Sequence, residues 1–95
     1  MKKSELIHKI TRKNTEIRDE DIENAVNMIL EYMVSSLANG KRIEIRGFGV
    51  FQTKYTSPRM GRNPKTGESV LIIGKYRPRF KASFIILEAI NTIKG

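Results

Sequence analysis

The sequence reads as an α+β fold: two N-terminal helices, a three-stranded antiparallel sheet drawn out into a long β-hairpin arm, and a short C-terminal helix. Three observations lead there. The apolar period is helical up to Gly40 and switches to two directly afterwards, over Arg42-Ile43-Glu44-Ile45-Arg46. Two strand-like flanks, 51–59 and 69–77, enclose the glycine-flanked tip Gly61-Arg62-Asn63-Pro64-Lys65-Thr66-Gly67, where the glycines permit positive φ and the proline presets φ. The net charge of +8 is also divided unevenly: residues 1–40 hold six Lys/Arg against seven Asp/Glu, whereas residues 41–95 hold twelve against three. A solvated surface mixes the signs; charge gathered on one half of a chain points to a polyanion, most often nucleic acid.

At 95 residues the chain is expected to form a single domain, with a body over 1–54 and 77–95 and an arm over 55–76. An arm of that length takes about a fifth of the chain out of the body, and small domains already bury proportionally less surface. The remaining apolar residues are therefore expected to complete a core by pairing with a second chain.

Taken in order, Ser4 is placed as the cap of a first helix over 5–13, with Leu6, Ile7 and Ile10 on one face. Residues 14–18 break the pattern. Asp19, followed by Glu20, Asp21 and Glu23, puts negative charge where the dipole of a second helix favours it. Along that helix Ile22, Ala25, Val26, Ile29, Leu30, Met33, Leu37 and Ala38 keep helical spacing, with Gly40 as the C-terminal cap and Ile29 and Met33 as core or interface filling. In the strand that follows, Ile43 and Ile45 face inward while Arg42, Glu44 and Arg46 share the other face. Glu44 has two readings there: it lowers charge repulsion on a solvated face, or it holds Arg46 in one orientation for a ligand. Gly47-Phe48-Gly49 is a tight turn, and Phe48, Phe51 and Phe80 are candidates for one aromatic cluster shared across a dimer. Val70-Leu71-Ile72-Ile73 lacks alternation and is read as buried on both faces near the base of the arm. The distal arm is expected to be mobile until something orders it, because an isolated hairpin is marginal in water. Pro78 is read as the end of the returning strand. Ser83 caps a last helix over 84–92 that is apolar on most of its circumference.

Several function classes recede. There is no cysteine, hence neither a disulfide framework nor a thiolate metal site, and a solitary His8 builds no zinc site. No segment reaches the roughly 18 apolar residues of a membrane span, and the basic start is not followed by a signal-peptide core, so a soluble, unprocessed protein is expected. No nucleophile stands with a base, and no phosphate loop ends in Lys-Ser or Lys-Thr, which argues against an enzyme. No cofactor is called for.

With these pieces in place the sequence resembles the bacterial HU and integration host factor family of DNA-bending proteins over almost its whole length. The resemblance rests on Arg46-Gly47-Phe48-Gly49-Val50-Phe51, on the seven tip residues 61–67, and on Pro78-Arg79-Phe80-Lys81. Arg42-Ile43-Glu44-Ile45-Arg46 and Gly74-Lys75-Tyr76 look most like the beta subunit of integration host factor. The resemblance implies an intertwined dimer, either a homodimer or a heterodimer with an alpha-type subunit, that bends duplex DNA in the bacterial cytoplasm and nucleoid and so serves recombination, replication and transcription. It implies arms in the minor groove with Pro64 wedged between base pairs beside Asn63, a device established for this family. Arg59, Arg62 and Lys65 on the arm, with Lys3, Arg42, Lys75 and Lys81 on the body, would neutralise phosphates, and Arg46 oriented by Glu44 would add sequence preference. Two positions depart from the family pattern: Thr56 stands where an arginine is usual, and Phe84, after Ser83, where a lysine is usual. An HU-like homodimer with little sequence preference is the nearest alternative. A module for single strands or RNA is a more distant one, with Tyr55 and Tyr76 as its only plausible stacking rings.

Overall fold

The computed structural model describes residues 1–95, which fall into two compact units, Met1–Ser35 and Ser36–Gly95. In the first unit, α1 (Lys3–Lys13) opens earlier than a Ser4 cap would have it: Lys2 is extended, its carbonyl accepts from the Leu6 amide at 3.1 Å, and no side chain caps the end. Ser4 thus lies inside the helix, whose exposed first turn leaves its free amides to water. Asn14 closes α1 by donating from Nδ2 to the Ile10 carbonyl at 2.9 Å, and its own carbonyl accepts from the Ile17 amide. The 20-residue α2 (Asp19–Ala38) follows, with Asp19, Glu20 and Asp21 in its first turn. The Lys3 ammonium donates to Asn27 Oδ1 at 2.9 Å and ties α1 to α2. Ile22, 6% exposed, is the one buried hydrophobic side chain, whereas Ile29 is 59% exposed and Val34 68%. Of the apolar stripe expected on α2, Ile22 is buried, Val26, Met33 and Leu37 are half-buried, and Ile29 and Leu30 are exposed.

In the second unit, α2 ends on a Schellman cap. Gly40, at φ +74°, donates to the Leu37 carbonyl at 3.0 Å, and Lys41 donates to the Ser36 carbonyl at 2.8 Å. Then come β1 (Ile43–Ile45), β2 (Gly49–Thr56), β3 (Arg59–Arg62), β4 (Ser69–Ile72), β5 (Lys75–Ala82) and α3 (Phe84–Lys94). β1, β2 and β5 form a three-stranded antiparallel sheet in that order, and β3 pairs with β4 in a separate hairpin. The β1–β2 turn carries Gly47 at φ +80°, closed by the Phe48 amide donating to the Ile45 carbonyl at 2.9 Å. Ser83 pins α3 to this turn. Its hydroxyl donates to the Gly47 carbonyl at 3.0 Å and accepts from the Ile86 amide at 3.4 Å, which is the N-terminal cap the sequence indicates.

The three phenylalanines meet within the chain, with ring centroids 4.6 Å apart for Phe51 and Phe80, 5.4 Å for Phe48 and Phe80, and 6.3 Å for Phe48 and Phe51. Phe48 and Phe80 each remain 45% exposed, so the cluster is assembled but open on one side. Gly49 lets it form. A Cβ there would lie 2.6 Å from the Phe80 ring and 2.5 Å from the Lys81 carbonyl, and the backbone oxygen cannot swing away. Gly49→Ala is accordingly expected to lower stability by about 1–3 kcal/mol, read as a lower thermal midpoint. An unchanged midpoint would mean that the cluster does not depend on this close approach.

Three expectations about the arm are corrected. Pro78 does not end the returning strand: β5 runs through it to Ala82, with Pro78 opposite Thr53. β5 is an edge strand paired only with β2, which is where a residue without an amide proton is tolerated. The flanks are also not continuous. Ser57-Pro58 interrupts one side and Ile73-Gly74 the other, at the same level, between the pairs Thr56–Lys75 and Arg59–Ile72. Finally, residues 70–73 are not buried near the base. Most of the run belongs to the distal hairpin, where Val70, Leu71 and Ile73 are 41%, 65% and 66% exposed and only Ile72 is partly covered, over the bare face of Gly61. A two-stranded hairpin has no second layer to bury them.

Candidate nucleic-acid interface

The β2–β5 register runs one to one from Gly49–Ala82 to Thr56–Lys75, so the two strands alternate in step without a bulge. One face takes Phe51, Thr53 and Tyr55 with Phe80, Pro78 and Tyr76. The other takes Val50, Gln52, Lys54 and Thr56 with Lys81, Arg79, Arg77 and Lys75. Every second residue of β5 is therefore a cation on this outer face. Lys54 stands directly opposite Arg77, an arrangement that destabilises a sheet unless negative charge is brought to it. The carboxylate on β1, that of Glu44, lies 3.6 Å from Arg42, with both side chains more than half exposed.

Of the residues singled out from sequence, Arg42, Lys75 and Lys81 take their places on this face. Glu44 pairs with Arg42 and not with Arg46. β1 ends at Ile45, and Arg46 stands at the entry to the glycine turn without an ion pair to Glu44. Lys3 belongs to the other unit, where its ammonium is bonded to Asn27. Thr56 pairs across to Lys75, so a cation stands beside the position where the arginine is missing. Lys54, Arg77 and Arg79 complete the stripe and were not among the sequence candidates. Their signal was the strict alternation Lys75, Arg77, Arg79, Lys81, which reading Pro78 as a strand end had cut short.

The arm tip is held by Asn63. Its amide donates to the Glu68 carbonyl at 2.8 Å, its carbonyl accepts from Gly67 at 2.7 Å, and its side-chain Oδ1 accepts from the Lys65 amide at 2.9 Å. Gly67, at φ +74°, supplies the left-handed residue that the turn needs. Three hydrogen bonds thus fix the loop around Pro64, which has no amide proton to satisfy and is exposed. Arg59 and Arg62, three residues apart on β3, emerge on opposite faces of the hairpin, and Lys65 is exposed beside Pro64.

A cationic sheet face and an exposed proline at a hydrogen-bonded tip are parts with which a protein can meet the phosphates and grooves of a charged double helix. The chain belongs to the family of bacterial DNA-binding proteins, whose sequence profile matches residues 1–91. Among its relatives, integration host factor subunit beta of Teredinibacter turnerae is 54% identical over 91 residues, covering 96% of this chain and 93% of that one. The same subunit of Idiomarina loihiensis is 52% identical over 93 residues, covering 98% and 99%. Among solved structures, HU of Anabaena cocrystallised with DNA superposes with a TM-score of 0.83 at 28% identity, covering 95% of this chain and 97% of that one. A variant of HU from Thermotoga maritima gives 0.68 at 26%, covering 95% and 99%.

Proposed function

We propose that the chain is one subunit of a dimeric architectural protein that bends duplex DNA without catalysis in the bacterial nucleoid, with residues 1–95 acting as one DNA-binding domain. The observation that carries this is the tip, where Asn63 fixes an exposed Pro64 at the end of an arm whose base bears four alternating cations. The arm over 55–76 enters the minor groove, and Pro64 replaces the stacking at a step it has opened. Arg59, Arg62 and Lys65 follow the phosphates beside the groove, while the outer sheet face and Lys3 neutralise those of the flanking duplex.

The second subunit covers what the free chain leaves open. Within the first unit Ile29 is 59% exposed, and within the second Phe48 and Phe80 are each 45% exposed. Ile29, Met33 and the open side of the phenylalanine cluster supply the core of that pairing. An alpha-type partner suits the beta-subunit likeness, and a homodimer with little sequence preference is the alternative; recovery of a second subunit of similar size from native cells decides between them.

Exposure of the Tyr55 and Tyr76 rings, 4.8 Å apart, favours single-strand binding. However, these rings lie on the face opposite the cations, so a strand stacked on them would turn its phosphates away from the charge. The test is fluorescence transfer between the ends of a short labelled duplex titrated with the purified chain, alone and with an alpha-type subunit, in competition with single strands. Approach of the ends, unaffected by single strands, is the expected result. Binding in both mixtures without approach overturns the bending reading.

A further inference from the structure

We infer that Phe84 is a DNA-contacting residue of the sheet flank, seated against deoxyribose in the backbone of duplex DNA as an apolar member of an otherwise ionic site. This rests on the DNA-wrapping function proposed above. A cavity of about 460 Å³ opens beside the outer face of the sheet, lined by Arg42, Glu44, Arg46, Gln52, Lys81 and Phe84 among others. Glu44 is engaged by Arg42, while Arg46 and Lys81 face the cavity without an acidic partner, so the site as a whole is cationic. Phe84, on its rim, is 76% exposed.

That exposure is not explained by the apolar stripe of α3. Helical spacing sets Phe84 beside Leu87, Glu88 and Asn91, opposite Ile86, Ala89, Ile90 and Ile93. A second subunit lying on that stripe would leave Phe84 in water. The nucleic-acid backbone matches both halves of the site, because each phosphate is joined to a sugar whose carbon-bound hydrogens form an apolar surface. Arg46 and Lys81 suit the phosphate, and the Phe84 ring suits the adjoining sugar. A contact of this kind releases no counterions, so it strengthens binding without steepening its dependence on salt.

The experiment compares the assembled wild-type protein with Phe84→Ala and Phe84→Lys on two duplexes, one spanning only the two arm sites and one extended by flanks, from low to high salt. Phe84→Ala is expected to bind the long duplex about fivefold more weakly at every salt concentration, with an unchanged slope and no loss on the short duplex. Phe84→Lys is expected to steepen the slope on the long duplex by about 0.9. If the wild type gains affinity from added flanks and Phe84→Ala gains it equally, the assignment of Phe84 is overturned. Equal losses on both duplexes also overturn it, since they report altered folding. A wild type that gains nothing from flanks overturns the wrapping reading itself, and Phe84 with it.

Discussion

Pro64→Ala is expected to abolish most of the approach of duplex ends while leaving the protein folded and still bound at low salt. Bending a short site by tens of degrees costs about 1–6 kcal/mol, and something at the opened step must offset the lost stacking. Pro64 offers a rigid ring at the end of a turn whose three hydrogen bonds all run through Asn63, Lys65, Gly67 and Glu68, none of which the substitution touches. Alanine keeps the turn but withdraws the ring, and its new amide must be desolvated if it enters the stack. Affinity for a bent site should fall by about tenfold or more, each decade being about 1.4 kcal/mol. Transfer efficiency at saturating protein should drop most of the way to that of free duplex. Full approach of the ends with the alanine variant would mean that the bend is imposed by the sheet face alone.

The largest effect on salt dependence is expected from replacing Lys75, Arg77, Arg79 and Lys81 together by glutamine. Each phosphate neutralised contributes about 0.9 to the slope of log affinity against log salt, so four per subunit bring at most about 3.6. The wild type's advantage over this variant should therefore shrink by up to about 150-fold between 50 and 200 mM salt. Folding should be preserved, because all four side chains are exposed, alternate away from the phenylalanine cluster and make no ion pair. Melting of the free variant at or above the wild-type temperature is the accompanying expectation, since the opposition of Lys54 and Arg77 is relieved. A slope unchanged within error would remove this face from the DNA interface.

Much of the architecture was legible because it is written in local chemistry. The change from helical to twofold period at Gly40, the Ser83 cap, the glycine turn around Phe48 and the seven-residue tip each follow from residues close in sequence. Terms that depend on distant pairing were not legible. Pro78 looks like a strand terminator until it is known that β5 has a free edge, and Val70 to Ile73 look buried until it is known that their hairpin has no second layer. The site divides in the same way. Arg42, Lys75 and Lys81 were found as isolated basic residues, but Lys54, Arg77 and Arg79 acquire meaning only once the strand continues through the proline and its alternation sorts them to one side. Glu44 shows the opposite limit: sequence spacing alone gave it two arginine neighbours, and only the folded chain shows that it pairs with Arg42.

The paired interruptions at Ser57-Pro58 and Ile73-Gly74 have a mechanical consequence. No rung of hydrogen bonds crosses that level, so the ladder above it and the ladder below it are separate stiff plates joined by two short straps. Because both straps sit at the same height, one plate can pitch or twist against the other without breaking a bond in either. The Tyr55 ring lies over the bare face of Gly74, beside this joint. An arm built in this way can follow a groove whose path differs from one DNA sequence to another, while the loop around Pro64 keeps its own geometry. The design would confine adjustment to the four residues of the two straps, Ser57, Pro58, Ile73 and Gly74, and leave the hydrogen-bonded loop around Pro64 to keep its form.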